Sequence, residues 1–213
     1  MDSNILYFGK LIAAEFDPHI TTARAIFVRN SDNIGEFLSW EAYGGRLFQH
    51  KPVGRISWED ALVSKLVPGV EITVDKMRFL CRLPLVDQDL DACSAKRWEK
   101  PFWAFNSSEQ ADVAYEIHAD APKEPIRVYG PALTDVRLVL EPICPNIQDF
   151  CGKTIRLLMP TSILTVKVLD INPYDLVCTN AKWLTGDLSN DWCRKVDNRL
   201  YIMRDAILNA GLC

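Results

Sequence analysis

The chain has 213 residues, of which 48% are hydrophobic and 24% are charged, and its formal net charge at pH 7 is -4. This length fits one domain, or one domain with a small appendage, and the ordinary globular balance excludes long disordered or low-complexity segments. Acidic and basic residues alternate without the concentrated basic stripe that nucleic-acid binders display, so we expect no direct binding to nucleic acid.

Compartment and redox state follow from two further observations. The amino terminus lacks a secretory-signal pattern, and no apolar run reaches the roughly 18 residues needed to span a bilayer. We therefore expect a cytoplasmic protein with no membrane contact. The seven cysteines are odd in number and include no C-x-x-C spacing, which predicts free buried thiols and no metal site.

Residues 1–50 predict two strands and a helix. Residues 5–8 and 25–29 are apolar and rich in β-branched or aromatic side chains, which is typical of strands. Residues 34–42 carry apolar side chains at helical spacing after a cluster of capping residues, and Gly44 with Gly45 supplies a stop. The pattern predicts a short amphipathic helix packed on a sheet.

A second helix and a hairpin follow. Ser57 and Asp60 form an S-x-x-D capping box at the start of a helix over residues 57–67, which Pro68 and Gly69 end. Apolar and polar side chains then alternate over residues 70–83, with Asp75 filling the turn together with the lysine that follows it. This period of two predicts a β-hairpin.

Residues 87–120 are irregular and aromatic. The predicted contact surface consists of Trp98, Phe102, Trp103, Phe105 and Tyr115. Aromatic residues are enriched at the cores of protein interfaces, which favours a binding role. The alternative is that these rings cover the core, because each buries about 150 to 250 Å² and long loops need such anchors.

The remainder predicts a second, smaller unit. A strand over residues 136–140 precedes Pro142 and Pro145, which indicate a boundary. The pattern beyond them predicts three strands, a hairpin and a last helical turn, over residues 154–158, 164–169, 174–179, 193–203 and 206–208. We therefore divide the chain into residues 1–145 and a β-rich C-terminal subdomain over residues 146–213.

Three short blocks between residues 52 and 142 carry a family resemblance. Residues 56–61 are I-S-W-E-D-A, Arg82-Leu83-Pro84 follows 21 positions later, and residues 135–140 are D-V-R-L-V-L. In order, they resemble the framework of formylglycine-generating-enzyme-like domains, a branch of the C-type-lectin-like fold. The resemblance implies an α+β fold, with two short helices and a twisted antiparallel sheet in the first unit.

The chain departs from that family at its functional residues. The family's enzymes carry an R-G-G-S-W block and paired copper-binding cysteines, whereas residues 102–108 are F-W-A-F-N-S-S and no cysteine lies between Cys93 and Cys144. The E-P-N and W-N-D triplets of calcium-dependent lectins are also missing. We therefore expect no cofactor, no metal and no catalysis, and we interpret Arg82 and Arg137 as buried framework residues that bind carbonyls or carboxylates.

The hypothesis from sequence is a non-catalytic protein-binding module, and a narrower form is an accessory or inhibitor protein of a phage or mobile element that acts on a host or defence complex. The sequence contains no nucleophile elbow, no histidine pair at metal-binding spacing and no phosphate-binding loop, so none of these motifs indicates an enzyme. Two alternatives stay open. One is a divergent formylglycine-generating-type oxidase, with Cys81 and Cys93 as the first pair to test, or an enzyme with an unrecognised site; the other is a structural or assembly protein.

Overall fold

The computed structural model describes residues 5–12, 37–52, 54–89, 91, 102–106, 113–118, 126–128, 133–186 and 191–213. Across these ranges the chain forms three β-sheets, one α-helix and two short 3-10 helices. The predicted α+β fold with two helices is therefore wrong, because strands dominate the architecture. The described ranges contain no helix that is both long enough and apolar enough to cross a membrane.

The first sheet has six strands in the order β1-β2-β3-β11-β6-β5, with strands numbered in chain order. Its members are β1 (Ile5–Ile12), β2 (Phe37–Tyr43), β3 (Arg46–Gln49), β5 (Val70–Val74), β6 (Met77–Arg82) and β11 (Val139–Pro142). The predicted hairpin over residues 70–83 is confirmed as the β5–β6 pair. Asp75 and Lys76 close it with φ angles of 50° and 68°, the left-handed pair that suits a two-residue hairpin turn.

The predicted helix over residues 34–42 is wrong where the structure describes it. Phe37–Tyr43 is strand β2, which pairs antiparallel with both β1 and β3. Gly44 and Gly45 have φ angles of 56° and 78°, so they form the tight turn of a β2–β3 hairpin and do not end a helix. Pairing on both sides of β2 outweighs the helical spacing of its apolar side chains. Residues 25–29, a predicted strand, lie outside the described residues.

The second sheet has five strands in the order β4-β10-β7-β8-β9. Its members are β4 (Gly54–Ile56), β7 (Phe102–Ala104), β8 (Ala114–Ile117), β9 (Ile126–Val128) and β10 (Thr134–Val136). Helix α1 (Trp58–Val63) follows β4, and the capping box of Ser57 and Asp60 is confirmed. Its Trp58 packs edge-on against Trp103 of β7, with ring centroids 5.5 Å apart.

The predicted strand over residues 136–140 divides between two sheets. Thr134–Val136 belongs to the second sheet and Val139–Pro142 to the first, so Arg137 and Leu138 make the crossing. Buried Gln49 binds the backbone at this crossing through two hydrogen bonds. Its side-chain Oε1 accepts from Leu138 N at 3.0 Å, and its backbone N–H donates to Leu138 O at 3.0 Å. The crossing ties the two sheets together.

The third sheet has six strands in the order β15-β16-β14-β13-β12-β17, and every pairing in it is antiparallel. Its members are β12 (Thr154–Met159), β13 (Ser162–Ile171), β14 (Asp175–Thr185), β15 (Cys193–Val196), β16 (Arg199–Met203) and β17 (Asn209–Leu212). The predicted strands and hairpin of this segment are confirmed. The helical turn predicted over residues 206–208 lies two residues earlier, as a 3-10 helix (Arg204–Ala206), and two further residues connect it to β17.

The third sheet packs against the β5–β6 hairpin of the first. Asn209 donates from Nδ2 to Arg78 O at 2.6 Å, and Arg156 forms an ion pair with Asp75 at 2.6 Å. Gly211 lies so close to the hairpin turn that an added Cβ would be 2.2 Å from Lys76 O. Strand β17 is therefore held against the backbone of the first sheet.

Candidate contact surface

The predicted aromatic contact residues lie in the interior wherever the structure describes them. Phe102 and Trp103 are 1% and 0% exposed, Phe105 and Tyr115 are also buried, and Trp98 lies outside the described residues. Trp103 donates from Nε1 to Ile56 O at 2.9 Å, which satisfies its buried N–H. These four side chains support the core, so a partner that meets the folded surface does not reach them.

Arg82 is the centre of a buried ion-pair network, as the framework interpretation predicted. Its guanidinium is 1% exposed and its NH1 donates at 2.6 Å to Asp89, whose side chain is 0% exposed. Nε and NH2 both donate to Glu141, and NH1 also donates to Leu83 O. Asp89 receives a second guanidinium from Arg46 at 2.8 Å. The network joins β3, β6 and β11 of the first sheet to the segment after β6.

The described cysteines fall into two groups. Three are buried among core side chains, and the prediction of buried thiols is wrong for the other three, which are exposed: Cys144, Cys151 and Cys213. Burial raises the pKa of Cys81 far above its usual range, and Cys93 lies outside the described residues. Burial, and then the neighbouring Cys193, raises the pKa of Cys178 to about 12. In the described part of the chain, no group of three or more His, Cys, Asp or Glu residues is placed to hold a metal.

Among the described residues, the most exposed aromatic side chain lies at one end of the third sheet. Tyr174, just before β14, is 82% exposed, and Met203 at the end of β16 is 47% exposed. With half-buried Trp192 and Tyr201 they line a cleft of about 420 Å³, which we call the aromatic cleft. Its lining is completed by Pro173, Asp175, Asp191, Cys193, Arg194 and Asp205.

Local backbone structure holds Tyr174 out of the sheet. Asn172 accepts from Tyr174 N at 2.9 Å and from Asp175 N at 2.7 Å through its side-chain Oδ1. This Asx turn fixes the chain as it enters β14. Arg204 donates from NH1 to Asn172 O at 3.1 Å, so the turn is tied to the segment after β16. The exposed ring is therefore on a fixed backbone, which lowers the entropy cost of using it in an interface.

Charged groups surround the aromatic side chains. Arg194 lies 5.1 Å from the Tyr201 ring centroid and forms an ion pair at 2.8 Å with Asp175, whose side chain is 11% exposed. This contact compensates the one arginine of the lining. Asp191 and Asp205 are exposed at the cleft. The lining thus has an excess of carboxylates over cations.

Sequence reasoning missed this cleft although a signal was present. In the predicted hairpin, Leu200 and Ile202 alternate with Tyr201 and Met203. If the first two face the core, period two places the second two on the opposite face. The structure shows this arrangement, with Leu200 and Ile202 in the core of the third sheet.

Comparison of this chain with known proteins does not assign it to a family. The three framework blocks lie in helix α1, at the end of β6 and across the crossing between β10 and β11. Their likeness to formylglycine-generating-enzyme-like domains remains a resemblance in sequence. No protein-family model, curated protein or solved structure matches this chain.

Proposed function

We propose that this chain is a non-catalytic protein-binding module whose aromatic cleft binds a partner segment carrying a basic side chain next to an apolar one. The observation that carries the proposal is Tyr174, an aromatic ring 82% exposed at the mouth of a cleft lined by two further aromatic rings and a methionine. Isolated exposed apolar residues are ordinary on protein surfaces, whereas clusters of them indicate interaction sites. Trp, Tyr and Met are enriched in interface cores.

Charge complementarity supports the choice of partner. The cleft lining holds three aspartates and one arginine, and the arginine is engaged by Asp175. Asp191 and Asp205 are exposed beside the rings. A lysine or arginine of the partner would meet the exposed carboxylate of Asp205, while its apolar neighbour packs on Tyr174 and Met203.

A random peptide library selected against the full chain tests this function. We expect the selected peptides to carry Lys or Arg beside an apolar residue and to lose at least about tenfold in affinity for Tyr174→Ala or Met203→Ala, the size of a moderate hot spot. Tyr43→Ala is the matched control, because Tyr43 is a tyrosine 45% exposed on β2 of the first sheet. Its affinity for the peptides should be unchanged.

The charge part of the proposal has its own test. Asp205→Lys should weaken binding of the selected peptides, and the difference from the original chain should shrink as salt is raised, because exposed charges are screened. Thermal unfolding of each variant, measured in parallel, separates lost contact from lost folding. Selected peptides that lack basic residues, or that bind equally well to Tyr174→Ala, would refute the proposal.

A further inference from the structure

A second cavity opens at the other end of the same strands. Strand β14 pairs with β16 only from Asp175 to Cys178, and β14 continues beyond the pair of Cys178 and Leu200, near the residue where β16 begins. A cavity of about 530 Å³ lies beside this part of β14. Its size is that of small-molecule sites, which are about 300 to 1,000 Å³. We call it the basic pocket, and its polar and aromatic lining consists of Thr179, Asn180, Trp183, Lys195, Asn198 and Arg199.

An irregularity in β14 shapes the wall of this pocket. Its register with β13 shifts between the pairs of Thr179 with Lys167 and of Lys182 with Thr165, so β14 carries one extra residue. Asn180 lies in this bulge with a φ of 53°, a left-handed conformation that asparagine tolerates better than most residues. Bulges of this kind re-aim side chains and are common next to functional sites.

Among the residues that the structure describes, the charged side chains that line this pocket are all positive. Lys195 and Arg199 contribute two cations, and no carboxylate lines the cavity; Asp197, in the turn between them, is not part of the lining. Within the described residues neither cation forms an ion pair or a side-chain hydrogen bond. By contrast, Arg46, Arg82 and Arg156 all bind carboxylates. A concave site lined by cations alone attracts an anion.

The uncharged side chains of the pocket indicate which chemical class of anion it would bind. Thr179, Asn180 and Asn198 offer hydroxyl and amide groups that donate and accept hydrogen bonds. Trp183 is half-buried and packs against the core of the third sheet, so its indole is a fixed wall. Aromatic side chains of this kind stack with planar rings, and Lys and Arg bind phosphate oxygens.

We propose that the basic pocket binds a nucleoside phosphate, with the phosphate held by Lys195 and Arg199 and the base stacked on Trp183. This site is separate from the aromatic cleft and does not depend on protein binding. The shared chemistry is a planar ring linked to a phosphate, which a free nucleotide or the end of a single-stranded nucleic acid provides. The observations favour the free nucleotide, because the chain has no basic stripe along which a nucleic-acid strand could bind.

Isothermal titration of the full chain with AMP, inorganic phosphate and adenosine tests this inference. We expect saturable one-to-one binding of AMP, with each of the other two compounds bound at least tenfold more weakly. Lys195→Gln and Arg199→Gln should each weaken AMP binding at least tenfold. Lys167→Gln is the matched control, because Lys167 is exposed on β13 but does not line the pocket, and it should leave the affinity unchanged.

The stacking contact is tested at Trp183. Trp183→Leu should weaken AMP binding about fivefold or more while leaving the weak binding of inorganic phosphate unchanged, and Trp183→Phe should restore most of the AMP affinity. Retained phosphate binding shows that the variant is folded. The inference is overturned if AMP does not bind at millimolar concentration, if phosphate binds as tightly as AMP, or if a single-stranded oligonucleotide binds more than tenfold more tightly than AMP.

Discussion

Asp89 offers the sharpest test of how the first sheet is held together. Its side chain is 0% exposed, and its carboxylate receives Arg82 at 2.6 Å, Arg46 at 2.8 Å and the backbone N–H of Leu85 at 2.8 Å. Asp89→Ala removes all three contacts. The guanidinium of Arg82, itself 1% exposed, then keeps only Glu141, whose side chain is 40% exposed, and a backbone carbonyl.

The expected magnitude follows from this burial. Removing one partner of a buried ion pair costs about 3 to 5 kcal/mol, because the remaining buried charge loses compensation; here Arg82 keeps one carboxylate, the half-exposed Glu141. Typical domains have about 5 to 15 kcal/mol of total stability, so Asp89→Ala should leave the chain close to unfolding. Glu71→Ala provides the contrast. Its ion pair with Arg78 joins side chains that are 59% and 58% exposed, and such a pair contributes about 0 to 1 kcal/mol.

Urea unfolding followed by intrinsic fluorescence measures both changes. If Asp89→Ala and Glu71→Ala shift the free energy of unfolding by similar amounts, the buried network does not stabilise the sheet as described. A second variant separates charge from shape: Arg82→Met combined with Asp89→Leu removes both buried charges. We expect this double variant to be more stable than Asp89→Ala, because no unpaired charge is left inside.

Three further outcomes follow from the structure, each measured by the same unfolding assay. Ser57→Ala should lower the free energy of unfolding by about 1 kcal/mol, because it removes the capping box of α1. Gly211→Ala should cost about 1 to 3 kcal/mol through its clash with Lys76 O, whereas Gly54→Ala, with nothing within 4 Å of its Cβ, should not show this loss. The free energy of unfolding should also fall as pH rises from the ordinary thiol pKa of 9.0 towards about 12, because Cys178 ionises first in the unfolded chain; Cys178→Ala should reduce this slope.

Local patterns in the sequence were sufficient where one strand directly follows its partner. The β5–β6 and β15–β16 hairpins both have two-residue turns between alternating strands, and Asp75 and Asp197 take positive φ there. The capping box of α1 is equally local, because Ser57 and Asp60 interact within one turn. Such elements depend on residues that are close in sequence, so they can be predicted without knowledge of the fold.

Elements that depend on partners far away in sequence could not be predicted from local patterns. Strand β2 is fixed by β1 and β3 together, and its apolar spacing alone favoured a helix. The strand predicted over residues 136–140 divides because Gln49, far away in sequence, binds Leu138 at the crossing. The aromatic residues from Phe102 to Tyr115 were ambiguous for the same reason, since only the sheet around them decides whether a ring faces inward.

The two proposed surfaces lie at opposite ends of one short stretch of paired backbone. Asp175 pairs with Met203 beside the aromatic cleft, and Cys178 pairs with Leu200 beside the basic pocket. Three residue steps along a strand separate these pairs, which is about 10 Å at roughly 3.3 Å per residue. Sites at such separation that share no partner usually behave additively. Substitution of Tyr174 should therefore leave nucleotide affinity unchanged, and substitution of Arg199 should leave peptide affinity unchanged.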